Sequence, residues 1–323
     1  MSALPSGIHV LTAAKLSPFF VPQLQAAFTL HERLHEADPA AFAQVAPLIR
    51  GVAASGDSKV GAELIAALPK LEVISVMGVG YDGVAVAAAK ARNIMVTHTP
   101  NVLNDDVADL AIGLMLSAAR QLPAADRYVR DGSWLKAPMP LARKMSGARL
   151  GIVGMGRIGQ AIAQRAQAFG MGIAYTTRNV RADLPFRYLP NAAALAAEVD
   201  FLVLITPGGA ATKHLVNAEV LAALGKGKGE GILVNVARGS VVDEAALVDA
   251  LERGVIAGAG LDVFEDEPRV PERLRGLPHV VLAPHIGSAT GQTRQAMADL
   301  AFGNLQAHFA GKPVLTPVPE CQG

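Results

Sequence analysis

The run Arg149-Leu-Gly-Ile-Val-Gly-Met-Gly-Arg-Ile-Gly159 constrains this chain more than any other stretch. An apolar segment leads straight into Gly154, Gly156 and Gly159 at G-x-G-x-x-G spacing, and an Ala-rich stretch follows. That context predicts a β-strand, a tight turn and a helix. Gly154 permits the turn, Gly156 lets the backbone approach a pyrophosphate, and Gly159 lets the helix pack on the strand. The pyrophosphate would then meet a helix N-terminus, where unpaired N–H groups and the helix dipole favour an anion. The run therefore predicts a dinucleotide-binding α/β unit.

Short apolar segments alternate with Ala-rich ones along the rest of the chain: Ile8–Leu11, Val73–Met77, Gly172–Tyr175, Phe201–Ile205, Ile232–Val236 and Val280–Leu282. Unbroken apolar strands covered on both faces belong to parallel sheets built from βαβ units. At 323 residues the chain exceeds the usual size of one core, which predicts two domains. Helices at Asn104–Arg120 and from Ser288 onward are the expected crossings. Residues 1–99 and 289–323 then form a flavodoxin-like, Rossmann-like substrate domain and residues 100–288 the dinucleotide-binding domain, with the ligand expected in the cleft between them.

Composition removes several function classes. The formal net charge is +1 and the cations are scattered, so no electrostatic footprint for nucleic acid is present. Cys321 is the single cysteine, which excludes an internal disulfide or a cysteine-based metal cage and fits a reducing, cytoplasmic setting. Met1–Leu16 lacks the pattern of a secretory peptide, and the longest apolar helix candidate, Val107–Ala119, contains Asp109 and is too short to span a bilayer. A soluble protein is expected.

Cofactor choice is read at the end of the strand after the glycine turn, where NAD-binding proteins place an acidic residue for the ribose hydroxyls. Here the segment is Ile173-Ala-Tyr-Thr-Thr-Arg-Asn179, with no carboxylate. Arg178 can pair with a 2′-phosphate and Thr176 or Thr177 can hydrogen-bond it, so NADPH is expected in preference to NADH. Three later segments carry the polar residues that follow apolar runs: Val234-Asn-Val-Ala-Arg-Gly-Ser240, Leu261-Asp-Val-Phe-Glu-Asp-Glu-Pro268 and Leu282-Ala-Pro-His-Ile-Gly-Ser288. Reducing a 2-oxo acid requires a cation for the carboxylate, a hydride over the carbonyl carbon and a proton for the developing alkoxide. Arg238 can supply the first and His285 the proton, with Glu267 on the far imidazole nitrogen to orient the ring and favour its charged form. Each alone also reads as a surface charge or a structural histidine; together with the glycine turn they point to hydride transfer.

With these motifs in place the chain resembles the D-isomer-specific 2-hydroxyacid dehydrogenase family, in particular its glyoxylate, hydroxypyruvate and hydroxyphenylpyruvate reductase branch. The resemblance spans nearly the whole length and is strongest from Met77-Gly-Val-Gly-Tyr-Asp82 to Ser288. It implies that Arg238 binds substrate, that Glu267 and His285 form the acid/base pair, and that the backbone N–H groups of Val79 and Gly80 bind the substrate carboxylate. It also implies cofactor contacts at Arg157, Ile158, Thr206, Pro207, Val236, Ala237, Asp262, His285 and Gly287. The loop Val52-Ala-Ala-Ser-Gly56 would line the pocket through Ser55, and Trp134 resembles a residue that in some relatives reaches across a homodimer. A binding protein of the corepressor type and a phosphoglycerate dehydrogenase-like enzyme are the competing readings.

One further motif, His31-Glu-Arg-Leu-His35, matches the zinc-protease pattern H-E-x-x-H. The alternation of Phe28, Leu30 and Leu34 suits a strand at least as well as a helix, and on a strand the two histidines would share a face roughly 13 Å apart, too far for one metal. No metal is expected.

Overall fold

The computed structural model describes residues 7–322, which fall into two compact units: residues up to Leu103 with Thr290 onward, and Asn104–Ala289. The start of the segment Met1–Leu16 lies outside the described residues.

The first unit carries a five-stranded parallel sheet of β1 (His9–Thr12), β2 (Thr29–Glu32), β3 (Ile49–Ser55), β4 (Val73–Met77) and β5 (Met95–Thr97), in the order β2-β1-β3-β4-β5. That is the flavodoxin-like order. Its central strands are apolar because helices cover both faces; every residue of β4 is buried. The core joins Leu11, Val52, Ile65, Ile74 and Val96. The helix Gly291–Phe309, capped by the Thr290 hydroxyl, belongs to this unit, and its Ala301 carbonyl accepts a hydrogen bond from buried Ser75.

The second unit carries a seven-stranded parallel sheet of β6 (Arg149–Val153), β7 (Gly172–Thr176), β8 (Arg187–Tyr188), β9 (Phe201–Leu204), β10 (Ile232–Asn235), β11 (Gly258–Leu261) and β12 (Val280–Leu282). The order β12-β11-β10-β9-β6-β7-β8 reverses direction at β6, and open sheets of this kind bind ligands beyond the carboxyl ends of the strands at that reversal. The expected fold class, two doubly wound α/β units, is the one observed. Among the described residues, no helix is long and apolar enough to cross a membrane.

Two local expectations need correction. Val52–Ser55 is not a loop but the end of β3, since these residues pair in register with Ile74–Met77 of β4. His31 and His35 do not share a strand: His31 lies on β2, Arg33 turns the chain with φ +49°, and His35 sits in the short helix Leu34–Ala37. His31 instead stacks on His9 of the neighbouring strand, with Nδ1 of His9 and Nε2 of His31 2.9 Å apart. Among the described residues, no group of three or more His, Cys, Asp or Glu side chains is placed to hold a metal.

Candidate active site

Parallel pairing aligns the strand exits. Val153 lies opposite Thr176 and Leu204, Leu204 opposite Asn235, Asn235 opposite Leu261, and Leu261 opposite Leu282. The loops leaving six strands therefore open side by side along one edge.

At the β6 exit Gly154 adopts φ +105°, and a Cβ there would stand 2.5 Å from the carbonyl oxygen of Ile205. Gly156 is the extended N-cap of the helix Arg157–Gln167; no side chain caps that helix, and a Cβ on Gly156 would meet nothing within 4 Å. At Gly159 a Cβ would lie 2.1 Å from Gly154 O, so helix and turn touch directly. The uncapped amides of Arg157, Ile158 and Gly159 beside open space fit a pyrophosphate. At the β7 exit Thr176 is buried, the Thr177 hydroxyl donates to Asn179 O at 2.6 Å, and Arg178 is exposed. The next carboxylate, Asp183, is held by Arg181 through two hydrogen bonds of 2.9 and 2.7 Å. The strand end thus presents a cation and no free carboxylate at Thr176–Val180, which fits a 2′-phosphate rather than a bare ribose. Thr206 and Pro207 follow β9, where Thr212 Oγ1 donates to Pro207 O at 2.7 Å.

Asn235 ends β10 fully buried. Its Oδ1 accepts from the Ala237 N–H and its Nδ2 donates to Arg238 O, both at 3.0 Å. The buried pair Val236–Ala237 and the half-buried Arg238 are thereby held in a fixed path, and Arg238 Nη1 donates to Ala237 O at 2.7 Å. Asn235 was not among the expected site residues; the signal for it is a lone polar residue closing an otherwise apolar strand just before the arginine segment.

Asp262, at the β11 exit, is buried, and its two carboxylate oxygens accept the Ile286 and Gly287 N–H groups at 2.7 and 2.8 Å, while its carbonyl accepts the His285 N–H at 2.8 Å. Burial pushes the Asp262 carboxyl pKa up, and the two amides only partly oppose it. These bonds fix the β12 exit, where His285 takes φ +53°, a left-handed conformation that costs on the order of 1 kcal/mol for such a residue. Its Nδ1 stands 2.7 Å from Oε2 of Glu267, whose Oε1 accepts the Phe264 N–H at 3.0 Å. Burial would raise the Glu267 carboxyl; the hydrogen bond and charge of His285, the Phe264 amide and the Arg238 charge outweigh it and hold the carboxyl below its usual range. An Nδ1 aimed at a carboxylate carries the proton, so Nε2 is the nitrogen left for proton exchange.

In the first unit Ser55 and Met77 are register partners, so Ser55 and the Val79–Gly80 turn leave adjacent strand ends. Ser55 Oγ lies 3.1 Å from Ser58 Oγ, and Val79 O lies 3.0 Å from Nδ1 of His98. Trp134, in the turn Ser133–Leu135, is 67% exposed.

A glycine turn for a pyrophosphate, a cationic strand end and a histidine–carboxylate pair on one doubly wound sheet define a nicotinamide-dependent oxidoreductase. Residues 112–287 match the D-isomer specific 2-hydroxyacid dehydrogenase, NAD binding domain. The chain belongs to the D-isomer-specific 2-hydroxyacid dehydrogenase family. It is 46% identical to a hydroxyphenylpyruvate reductase of Plectranthus scutellarioides over 96% of this chain and 99% of that protein. It is 44% identical to a 2-ketogluconate reductase of Gluconobacter oxydans over 98% and 100%. The solved NADPH-dependent glyoxylate/hydroxypyruvate reductase of Sinorhizobium meliloti, in complex with NADP and malonate, superposes with a TM-score of 0.91 at 47% identity and covers 98% of both chains.

Proposed function

We propose that the protein reduces a 2-oxo acid of the glyoxylate or hydroxypyruvate class to its D-2-hydroxy acid with NADPH. The observation that carries this reading is the 2.7 Å contact between His285 Nδ1 and Glu267 Oε2, on the sheet edge that also bears the glycine turn and Arg238. NADPH, when bound, supplies the hydride that adds to the carbonyl carbon. Gly154, Gly156, Arg157, Ile158 and Gly159 hold the pyrophosphate, and Thr176, Thr177 and Arg178 the 2′-phosphate. Thr206, Pro207, Val236, Ala237, Asp262 and Gly287 line the rest of the cofactor's path. Arg238 pairs with the substrate carboxylate through its planar fork. Protonated His285 donates from Nε2 to the carbonyl oxygen, and Glu267 offsets the positive ring while it waits. Ser55, Val79 and Gly80 are further substrate contacts. A cytoplasmic homodimer completes the reading.

Both comparison relatives and the solved neighbour are named as reductases, which favours catalysis over a corepressor-like or phosphoglycerate dehydrogenase-like role. Initial rates with NADPH and NADH against glyoxylate, hydroxypyruvate, hydroxyphenylpyruvate and 2-ketogluconate test it. The expected result is turnover with NADPH that His285→Ala abolishes while NADPH still binds; turnover retained in that variant would overturn the assignment.

A further inference from the structure

A second histidine–carboxylate contact stands on the same sheet edge. His214, in the loop after β9, places Nε2 2.7 Å from Oε1 of Glu265, two residues ahead of Glu267. The chain around His214 is fastened to the loop that carries Arg238. The His214 N–H donates to Ser240 O at 2.8 Å, the Val216 N–H to Val241 O at 3.0 Å, and the Asp243 N–H to Val216 O at 2.9 Å. The side chain of His214 thus reaches from the Arg238 loop to the segment that carries Glu267. The residue takes φ +50° in doing so, a left-handed conformation that only compensating contacts maintain. From the other side the Glu265 N–H donates to Oε1 of Glu244 at 3.2 Å.

We propose that His214 and Glu265 form a positioning pair, which holds the Glu267 segment against the Arg238 loop so that Glu267 stays on Nδ1 of His285. The two side chains are 37 and 36% exposed, and ion pairs that open to water add little to global stability. Their effect is therefore local. Along this segment Asp266 alone separates Glu265 from Glu267, which holds the His285 ring through Oε2 and accepts the Phe264 N–H, from the other side of Glu265, through Oε1, so a small displacement at Glu265 is passed directly to the imidazole. On the reductase reading above, that displacement slows proton delivery without altering how the glycine turn receives the dinucleotide.

The test uses the full chain and whichever 2-oxo acid the wild type reduces with NADPH. His214→Ala and Glu265→Ala should each lower kcat about tenfold, since misplacing a catalytic group by a fraction of an ångström has effects of that order. The KM for NADPH and the melting midpoint should stay at wild-type values. Glu265→Gln, which keeps an acceptor oxygen for His214, should recover most of the lost rate. A readout independent of turnover is the NMR titration of His285 in the cofactor-free protein, whose midpoint should fall in both alanine variants. Wild-type kcat together with an unmoved His285 titration would overturn the pair. So would a loss in Glu265→Gln equal to that in Glu265→Ala with a lowered melting midpoint, which marks a merely structural role. Should His214→Ala not fold, the Glu265→Ala and Glu265→Gln comparison decides alone. If the wild type reduces no 2-oxo acid, the reductase reading fails, and the His285 titration still decides the positioning pair.

Discussion

In the proposed reduction, proton delivery from His285 depends on one carboxylate, Glu267. The hydrogen bond and charge of His285, with the Phe264 amide and the Arg238 charge, hold Glu267 below the usual carboxyl range against its burial, and because the His285 contact is mutual it favours the protonated imidazole in turn. The proposed reduction needs that protonated ring, so activity should be lost as pH rises past the point where it deprotonates. In Glu267→Gln the ring loses its counter-charge and releases its proton earlier, and the alkaline limb of kcat/KM for reduction should move to lower pH by roughly one unit. A pH–rate profile checks this, and a limb that stays in place would remove Glu267 from the acid/base pair. Arg178, the one charged residue of Thr176–Val180 at the β7 exit, is the proposed partner of the 2′-phosphate. Arg178→Ala should raise the KM for NADPH by about ten- to a hundredfold, the size of a lost charge-assisted phosphate contact, and leave the KM for NADH unchanged. Steady-state kinetics with both cofactors measures the ratio; equal losses for the two would mean that Arg178 does not select between them.

Loops at the sheet edge are locked by close backbone approach as well as by side chains. A Cβ on Gly239 would lie 1.8 Å from the carbonyl oxygen of Phe264 and 2.4 Å from the Glu265 nitrogen, and neither can yield because both are backbone. Gly239→Ala must therefore push the Arg238 loop away from the Glu267 segment. The expected outcome is a kcat at least about tenfold lower together with a depressed melting midpoint, read by kinetics and thermal denaturation. The same kind of contact explains which elements are legible in the sequence. The glycine turn and strands β4, β6 and β12 can be read directly, because a local apolar run and its flanks specify them. Strand β11 reads Gly-Ala-Gly-Leu and carries no strand signal, since Gly258 and Gly260 are there to let His279 and Leu114 approach: a Cβ on them would meet His279 O at 2.6 Å and Leu114 Cβ at 2.9 Å. The end of β3 reads as a loop because Ala-Ala-Ser-Gly has no β-branched residue after Val52, and only pairing with β4 makes it a strand. Arg238, Glu267 and His285, the proposed substrate and acid/base residues, are nameable from the chemistry a 2-oxo acid requires. Asn235, His214 and Glu265 are not, because their partners are set by which loops the sheet order brings together.

At the scale of the molecule, one stretch of the second unit leaves apolar surface that its own fold does not cover. The helix Leu122–Arg130 buries none of its residues, and beyond it Trp134, Leu135 and Leu141 are 67, 94 and 99% exposed. Single exposed apolar residues are ordinary, but Leu122, Val129, Trp134, Leu135 and Leu141 fall within twenty residues of chain, and clustered apolar surface marks an interaction site. The proposed homodimer supplies the occupant: in a two-fold arrangement the same segment of each protomer meets the other, so one patch is its own complement. Sedimentation equilibrium at micromolar concentration should return twice the chain mass. The double variant Leu135→Glu with Leu141→Glu should return the chain mass, and the monomer should remain folded, because these side chains have almost no contact area within their own protomer to lose. If Trp134 extends into the partner's pocket, as the resemblance implies, Trp134→Ala should raise the KM for the 2-oxo acid while the KM for NADPH holds. A wild-type monomer, or a double variant that still sediments as a dimer, would place the contact elsewhere and leave the exposed segment without an assigned partner.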